Sequence, residues 1–135
     1  MNNPSLFAEP TKMYASDFDP KIRALVHYLR DNGNKISYEE VEEVTWSDDN
    51  FEANGCEYMV LTDDEADQKW DEYLDSYLDE CVLPELPESA QHYFDRESWK
   101  YDARMDGRGH SLSSYDGCEY DAEADGETYY IYRTN

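Results

Sequence analysis

Five aspartates follow one another at intervals of three or four residues, the spacing that places side chains on one face of a helix. They are Asp64, Asp67, Asp71, Asp75 and Asp79. On a helix, such a face carries one carboxylate roughly every 4.5–6 Å, and a nucleic-acid strand also presents regularly spaced negative charge. The spacing favours a surface that occupies a basic groove on another protein. The alternative is a solvated face that only aids solubility.

A second run of acidic residues precedes this helix and extends the same kind of surface. It consists of Glu39, Glu40, Glu42 and Glu43. Residues 37–95 hold 20 acidic residues and a single basic one, Lys69, so this segment contributes −19 to the formal charge of −22. Because that much like charge repels itself without compensation, we interpret the acidic face as a partner-binding site.

Asp106, Arg108 and His110 form a second candidate site, in a segment where Gly107 and Gly109 predict a loop. A carboxylate, a guanidinium and an imidazole this close together can bind an anion or serve acid–base chemistry. The alternative is a structural turn in which Arg108 pairs with an acidic residue. Elsewhere the sequence has no nucleophile-plus-base spacing and no phosphate-loop, dinucleotide or zinc-protease motif. We therefore expect no enzyme, no cofactor and no metal.

The segment Asp121–Gly126 matches the first half of a calcium-binding loop. The twelfth position of such a loop should be Glu, and here it is Tyr132. The flanking residues are typical of strands rather than helices. A hairpin turn is therefore the favoured interpretation.

Two helices are clearly marked by the sequence. Asp19-Pro20 predicts a capped start, and Gly33 a stop, for a helix over residues 20–32. Thr62 and Glu65 form a capping box at the start of the helix that carries the aspartate row. The apolar stripe of this second helix comprises Ala66, Trp70, Tyr73, Leu74, Tyr77, Leu78, Cys81 and Val82. Cys81 is therefore expected in the core, and a further helical stretch is expected at about 88–105, split near Asp95.

The strand signals lie on either side of the acidic helix. Asn54-Gly55 predicts a hairpin turn between Phe51 and Leu61. The tail is predicted to be a three-stranded meander formed by residues 111–115, 118–123 and 127–133. Since these strands are interleaved with helices, the predicted fold is α+β, with two or three helices packed on a small antiparallel sheet and a C-terminal β-meander. Residues 1–18 are expected to form an irregular arm, and residues 19–135 a single domain.

Composition and charge narrow the class of protein. The chain has 135 residues, a length that suits one domain. Its charge of −22 opposes direct binding to nucleic acid or to an anionic membrane. The start of the chain has no secretory signal pattern, and the three cysteines, Cys56, Cys81 and Cys118, contain no C-x-x-C pair. We expect a cytoplasmic protein whose partners are basic proteins.

A resemblance to other proteins is carried by three segments of the chain: Tyr58–Asp67, Asp102–His110 and Tyr129–Asn135. These segments resemble small acidic proteins of bacteriophages and prophages. The resemblance implies an accessory role in the infected bacterium, but it carries over no catalytic or binding residue. In charge alone, the chain is similar to the anti-restriction and anti-CRISPR proteins that mimic nucleic acid.

The sequence thus leads to one hypothesis and two alternatives. The leading hypothesis is a counter-defence inhibitor whose acidic face blocks the basic nucleic-acid-binding groove of a host effector. The first alternative is a phage accessory protein that binds a host protein without mimicry. The second is a small ligand-binding or enzymatic protein that uses the Asp106–His110 segment.

Overall fold

The computed structural model describes residues 17–135, in which five helices surround a five-stranded antiparallel sheet. The helices are α1 (Pro20–Asp31), α2 (Asp63–Tyr77), α3 (Glu88–Gln91), α4 (Arg96–Ala103) and α5 (Arg108–Leu112). The strands are β1 (Glu42–Glu43), β2 (Asn50–Ala53), β3 (Cys56–Thr62), β4 (Tyr120–Ala124) and β5 (Glu127–Arg133). Short 3₁₀ turns lie at Tyr38–Glu40, Leu83–Glu85 and Arg104–Asp106. The α+β prediction is confirmed.

The predicted helix caps are present. Asp19 accepts a hydrogen bond from the backbone N–H of Lys21 at 2.8 Å, immediately before α1. Thr62 and Glu65 form the reciprocal capping box of α2, which satisfies two backbone N–H groups that the first turn would otherwise leave unpaired. The split near Asp95 is also confirmed, since the Asp95 carboxylate accepts from the backbone N–H of Ser98 and begins α4.

The sheet has the strand order β1-β2-β3-β5-β4, and every neighbouring pair is antiparallel. Asn54 and Gly55 both have positive φ and form the predicted β2–β3 hairpin turn. Asp125 and Gly126 do the same between β4 and β5, as the hairpin interpretation of this segment predicted. After β3 the chain passes through four helices and returns to the sheet as the hairpin β4–β5, in which β5 lies beside β3.

Each face of the sheet has its own core. On one face, α1 contributes Leu25 and Val26, which pack with Phe51, Val60 and Ile131. On the other face, α2 and α5 cover a smaller cluster formed by Met59, Leu61, Ala66 and Tyr132, with Leu112 packed against it. Alternate residues of β5 therefore enter different cores.

The predicted meander is wrong in its first strand. Residues 108–112 form α5, and the following segment turns back through Ser113 and Asp116. The Asp116 carboxylate accepts from the backbone N–H of Cys118 at 3.0 Å and from the Tyr120 hydroxyl at 2.8 Å. Such local side-chain bonds offer the backbone an alternative to a strand ladder. The tail therefore forms one hairpin, β4–β5, that joins the sheet beside β3.

The prediction of a loop at Asp106–His110 is also wrong, because α5 begins at Arg108. Gly107 has a φ of 87° and provides the sharp break before the helix. A Cβ on Gly109 would lie 2.5 Å from the carbonyl carbon of Cys118. Glycine at this position lets α5 pack directly on the segment that leads into β4.

Cys81 is exposed, not in the core as predicted. After Tyr77 the helix continues through a π-helical segment at Leu78–Val82. The wider turn rotates the positions that follow away from the 3.6-residue period on which the prediction depended. All three cysteines are free thiols.

The predicted irregular arm at 1–18 lies almost wholly outside the described residues, which begin at Asp17. Within the described range, no helix combines the length and the apolar character needed to cross a membrane.

Candidate functional site

The aspartate row of α2 faces a row of basic residues that sequence analysis did not identify. These basic residues are Arg96, Lys100, Arg104 and Arg108, spaced four residues apart along α4, the following 3₁₀ turn and α5. This segment runs antiparallel to α2. Each successive basic residue therefore contacts an aspartate that lies about one helical turn closer to the N-terminus of α2. We call the resulting set of ion pairs the ladder.

The ladder engages four of the five predicted aspartates. Its N···O distances are 2.9 Å for Arg96–Asp79, 3.0 Å for Arg96–Asp75, 3.2 Å for Lys100–Asp75, 2.6 Å for Lys100–Asp71, 2.8 Å for Arg104–Asp71 and 2.9 Å for Arg108–Asp67. Of the five, only the side chain of Asp64 has no hydrogen bond or ion pair to another described residue. Most of this row is therefore occupied within the protein itself.

Lys100 is the most buried member of the ladder, with its side chain 5% exposed. Hydrogen bonding to Asp71 raises its pKa by more than burial lowers it. Hydrogen bonds from Lys100 and Arg96 in turn lower the pKa of Asp75. Both shifts favour the charged forms, so the ladder remains ionised over the neutral pH range.

Arg108 joins the ladder to the sheet. Its guanidinium contacts Asp63 and Asp67 at 2.9 Å and Glu119 at 2.8 Å, and it lies 4.6 Å from the ring centroid of Tyr130. The side chain is only 11% exposed. Burial alone would lower the pKa of Arg108, but the hydrogen bonds to Glu119 and Asp63 reverse that effect and raise it. Arg108 therefore pairs with acidic residues, as the structural alternative for this segment expected, but it does so at the start of a helix and not in a turn.

The structure does not bring Asp106, Arg108 and His110 into one cluster. Asp106 and His110 line a cavity of about 220 Å³ between α2, α4 and α5, whereas Arg108 does not line it. The other lining side chains include Tyr73, Tyr77 and Trp99.

The second acidic run lies at one edge of the sheet. Glu42 and Glu43 form β1, the outermost strand, and both are exposed. Glu39 is exposed and has no hydrogen bond or ion pair to another described residue. Glu40 accepts from the backbone N–H and the hydroxyl of Ser37 at 2.9 Å, which lowers the pKa of Glu40. Three of these four carboxylates are therefore unpaired within the described part of the chain.

The strand register aligns Glu42 with two glutamates that were not predicted as site residues. Glu42 lies directly opposite Glu52, and Glu52 directly opposite Glu57. Directly opposite residues share one face of the sheet, with Cβ atoms about 5 Å apart. Among the described residues none of the three has a basic partner. We call Glu42, Glu52 and Glu57 the sheet row.

Glu40 lies beside the sheet row. Together with Glu42 and Glu52 it lines a shallow depression of about 170 Å³ near the Asn54-Gly55 turn. The sequence held a signal for this arrangement, since the hairpin turn sets the register of β2 against β3 and therefore pairs Glu52 with Glu57. Nothing in the sequence pairs β1 with β2, so the position of Glu42 could not be predicted.

Within residues 17–135, no group of three or more His, Cys, Asp or Glu side chains is arranged to hold a metal ion. No protein-family model, curated protein or solved structure matches the chain.

Proposed function

We propose that this protein binds a basic surface of another protein through the sheet row, and that it competes with nucleic acid for that surface. The observation that carries the proposal is the alignment of Glu42, Glu52 and Glu57 across three strands with no basic partner among the described residues. The proposal moves the contact surface from α2, where sequence analysis predicted it, to the edge of the sheet.

The sheet row has electrostatic energy to gain from a partner. Like charges directly opposite one another in a sheet are destabilising, and no cation of the described chain relieves them. Lysine or arginine side chains of a partner would remove that repulsion and add attraction. The net charge of −22 acts at longer range and accelerates the encounter with a basic protein at low salt.

The α2 row is a poorer contact surface, because a partner would have to replace contacts that already exist. Asp71 and Asp75 each contact two basic groups of the ladder. Displacing those groups would expose Lys100, which is buried, and leave it without its carboxylates. We assign this row to folding and not to recognition.

Competition with nucleic acid follows from the kind of surface that would accept the sheet row. A patch of lysine and arginine that receives phosphates spaced a few ångströms apart also receives carboxylates about 5 Å apart. The resemblance to small acidic phage proteins supports a bacterial defence enzyme that acts on nucleic acid as the partner. In that setting the protein is a competitive inhibitor.

The test compares two variants of equal charge. The first is Glu42→Gln/Glu52→Gln/Glu57→Gln, which neutralises the sheet row. The second is Glu85→Gln/Glu88→Gln/Glu97→Gln, which neutralises three exposed glutamates of the helical region. Each immobilised variant and the unmodified protein are incubated with bacterial lysate at low salt, with and without competing duplex DNA, and the retained proteins are identified.

The proposal expects a nucleic-acid-binding protein that the unmodified chain and the second variant retain, that the first variant loses, and that duplex DNA displaces. Equal retention by both variants would contradict a role for the sheet row. A partner that depends on the sheet row but is unaffected by DNA would contradict mimicry and favour the accessory-protein alternative. If the first variant only aggregates more readily, the sheet row serves to protect the β1 edge.

A further inference from the structure

The cavity between α2, α4 and α5 has an aromatic wall. Tyr73, Tyr77 and Trp99 line it. Their rings form a continuous stack, with centroids 6.2 Å apart for Tyr73–Tyr77 and 6.0 Å apart for Tyr77–Trp99, and with interplanar angles of 29° and 14°. Tyr73 and Tyr77 are 42% and 44% exposed, respectively. The stack therefore presents aromatic surface to solvent instead of completing a core.

Two polar side chains complete the cavity. Asp106 and His110 line it and are exposed. Neither has a hydrogen bond or ion pair to another described residue, in contrast to the neighbouring carboxylates of the ladder. The cavity thus combines aromatic surface with a carboxylate whose charge is not neutralised within residues 17–135.

We propose that this cavity receives the guanidinium of an arginine side chain on the basic partner. The proposal rests on the function proposed above and deepens it. It adds a specific contact with the partner to the non-specific electrostatic attraction that the sheet row provides. Aromatic faces attract cations through their quadrupole, and the planar guanidinium also stacks on them. Asp106 supplies a carboxylate that can accept two parallel N–H bonds from the same group.

The size of the cavity supports a single side chain as its occupant. About 220 Å³ is below the 300–1,000 Å³ typical of sites for cofactors and drug-sized molecules. The charge supports a cation, because the overall charge of −22 and the Asp106 carboxylate oppose an anion. Arginine fits the wall better than lysine does, because its flat group can lie against the stacked rings.

The test uses the intact protein and small probes, so it requires no knowledge of the partner. Acetyl-arginine-amide is titrated against the isotope-labelled protein while the indole N–H signals are followed by NMR. Acetyl-citrulline-amide, a neutral compound of nearly the same shape, is the control probe. We expect arginine to shift the Trp99 signal in a saturable way at millimolar concentrations and citrulline to shift it at least fivefold less. Trp46, which is exposed and does not line the cavity, should not respond.

Two variants of equal charge locate the contact. Asp106→Asn should weaken the arginine response several-fold. Asp102→Asn, which removes an exposed carboxylate that does not line the cavity, should leave it unchanged. Tyr77→Leu should weaken the response while the remaining spectrum keeps its dispersion, which shows that the fold is intact.

Equal shifts with arginine and citrulline, or equal shifts with acetyl-lysine-amide, would overturn the assignment to a guanidinium. An equal effect of Asp106→Asn and Asp102→Asn would overturn the assignment to this cavity. The two proposals fail in different ways. If the proposed function is wrong, the sheet-row variant still retains the partner from lysate, and the arginine probe still shifts the Trp99 signal. Failure of the cavity leaves that variant defective and the titration flat.

Discussion

Two acidic regions of this protein both consist of carboxylates, but only one of them is paired with basic side chains of the described residues. On α2, Asp71 and Asp75 contact three basic groups of the ladder. In the sheet row, Glu52 lies between Glu42 and Glu57 and has no basic partner among the described residues. The comparison teaches that the charge a surface presents is decided by the register between distant segments, and not by how many carboxylates one segment contains.

The two regions therefore contribute to stability with opposite signs. Charge-assisted hydrogen bonds make the ladder a stabilising contact between α2 and the segment from α4 to α5. The carboxylates of the sheet row repel one another, and no cation within residues 17–135 pairs with them, so screening by salt or a basic partner would reduce the repulsion. Substitutions that remove one charge from each region should accordingly change the free energy of unfolding in opposite directions.

The largest effect is expected at Arg108, where the ladder meets the sheet. Arg108→Ala leaves Asp63, Asp67 and Glu119 close together with no cation between them. Breaking a fully buried ion pair costs about 3–5 kcal/mol; here only the cation is buried and water screens Asp63 and Asp67, so we expect a loss of about 2 kcal/mol. Urea unfolding measures the change.

Lys35→Ala is the control for this substitution, because Lys35 is exposed and has no ion pair to another described residue. It should change the free energy of unfolding by less than about 0.5 kcal/mol. If both variants unfold at the same urea concentration, Arg108 does not stabilise the protein through its carboxylates.

A smaller effect is expected from acid, because Asp75 is 40% exposed and water screens its ion pairs. Hydrogen bonds from Lys100 and Arg96 lower the pKa of Asp75 in the folded state. The stability that these bonds provide is therefore present above the ordinary pKa of an aspartate and is lost as the pH falls through the lowered value. Lys100→Met should raise the pKa of Asp75 towards its ordinary value.

Carbon-13 NMR of the Asp75 carboxyl measures that pKa directly in both proteins. The pKa of Asp95, which is lowered by hydrogen bonds from Ser98, should stay the same in both and serves as the internal control. An Asp75 pKa that does not change on removing Lys100 would contradict the pairing that defines the middle of the ladder.

Much of the scaffold could be predicted because its signals are local. The cap at Asp19, the capping box at Thr62 and the turn at Asn54-Gly55 each depend on neighbouring residues, and each is present in the structure. The run Tyr129–Tyr132 must place tyrosines on both faces of a strand. The structure covers both faces, so Tyr129 and Tyr132 are both buried in different cores.

The ladder could not be predicted, because it depends on pairing between segments far apart in the chain. Arg96, Lys100, Arg104 and Arg108 repeat every fourth residue, a pattern that the sequence displayed. Only their antiparallel packing on α2 makes them the partners of the aspartate row. The tail was predicted wrongly for a different reason, since the side chains of Ser113 and Asp116 bond to nearby backbone groups where local patterning favoured a strand.

In the sheet row, removing one charge should stabilise the protein. Glu52→Gln keeps the size of the side chain and removes the central charge between Glu42 and Glu57. We expect the free energy of unfolding to rise by about 0.5 kcal/mol at low salt, and the gain to shrink as added salt screens the repulsion. Glu85→Gln, on an exposed glutamate of the helical region, should give no comparable gain. A loss of stability in Glu52→Gln would show that the row is paired in solution.

The smallest difference is expected within α2, between two aspartates on the same face of the helix. The side chain of Asp64 has no hydrogen bond or ion pair to another described residue, whereas that of Asp67, one turn later, contacts Arg108 at 2.9 Å. Asp67→Asn should lower the free energy of unfolding by about 0.5 kcal/mol, because Arg108 keeps Asp63 and Glu119. Asp64→Asn loses a favourable charge at the helix N-terminus but also relieves repulsion, so its net effect should stay within about 0.3 kcal/mol.

Urea unfolding of these two variants, measured side by side, separates a paired carboxylate from an unpaired one on the same helix face. A larger loss for Asp67→Asn means that the ladder extends to the first turns of α2. Equal effects would mean that Arg108 gains nothing from Asp67. Asp67 would then resemble Asp64, and the contact of Arg108 with α2 would depend on Asp63 alone.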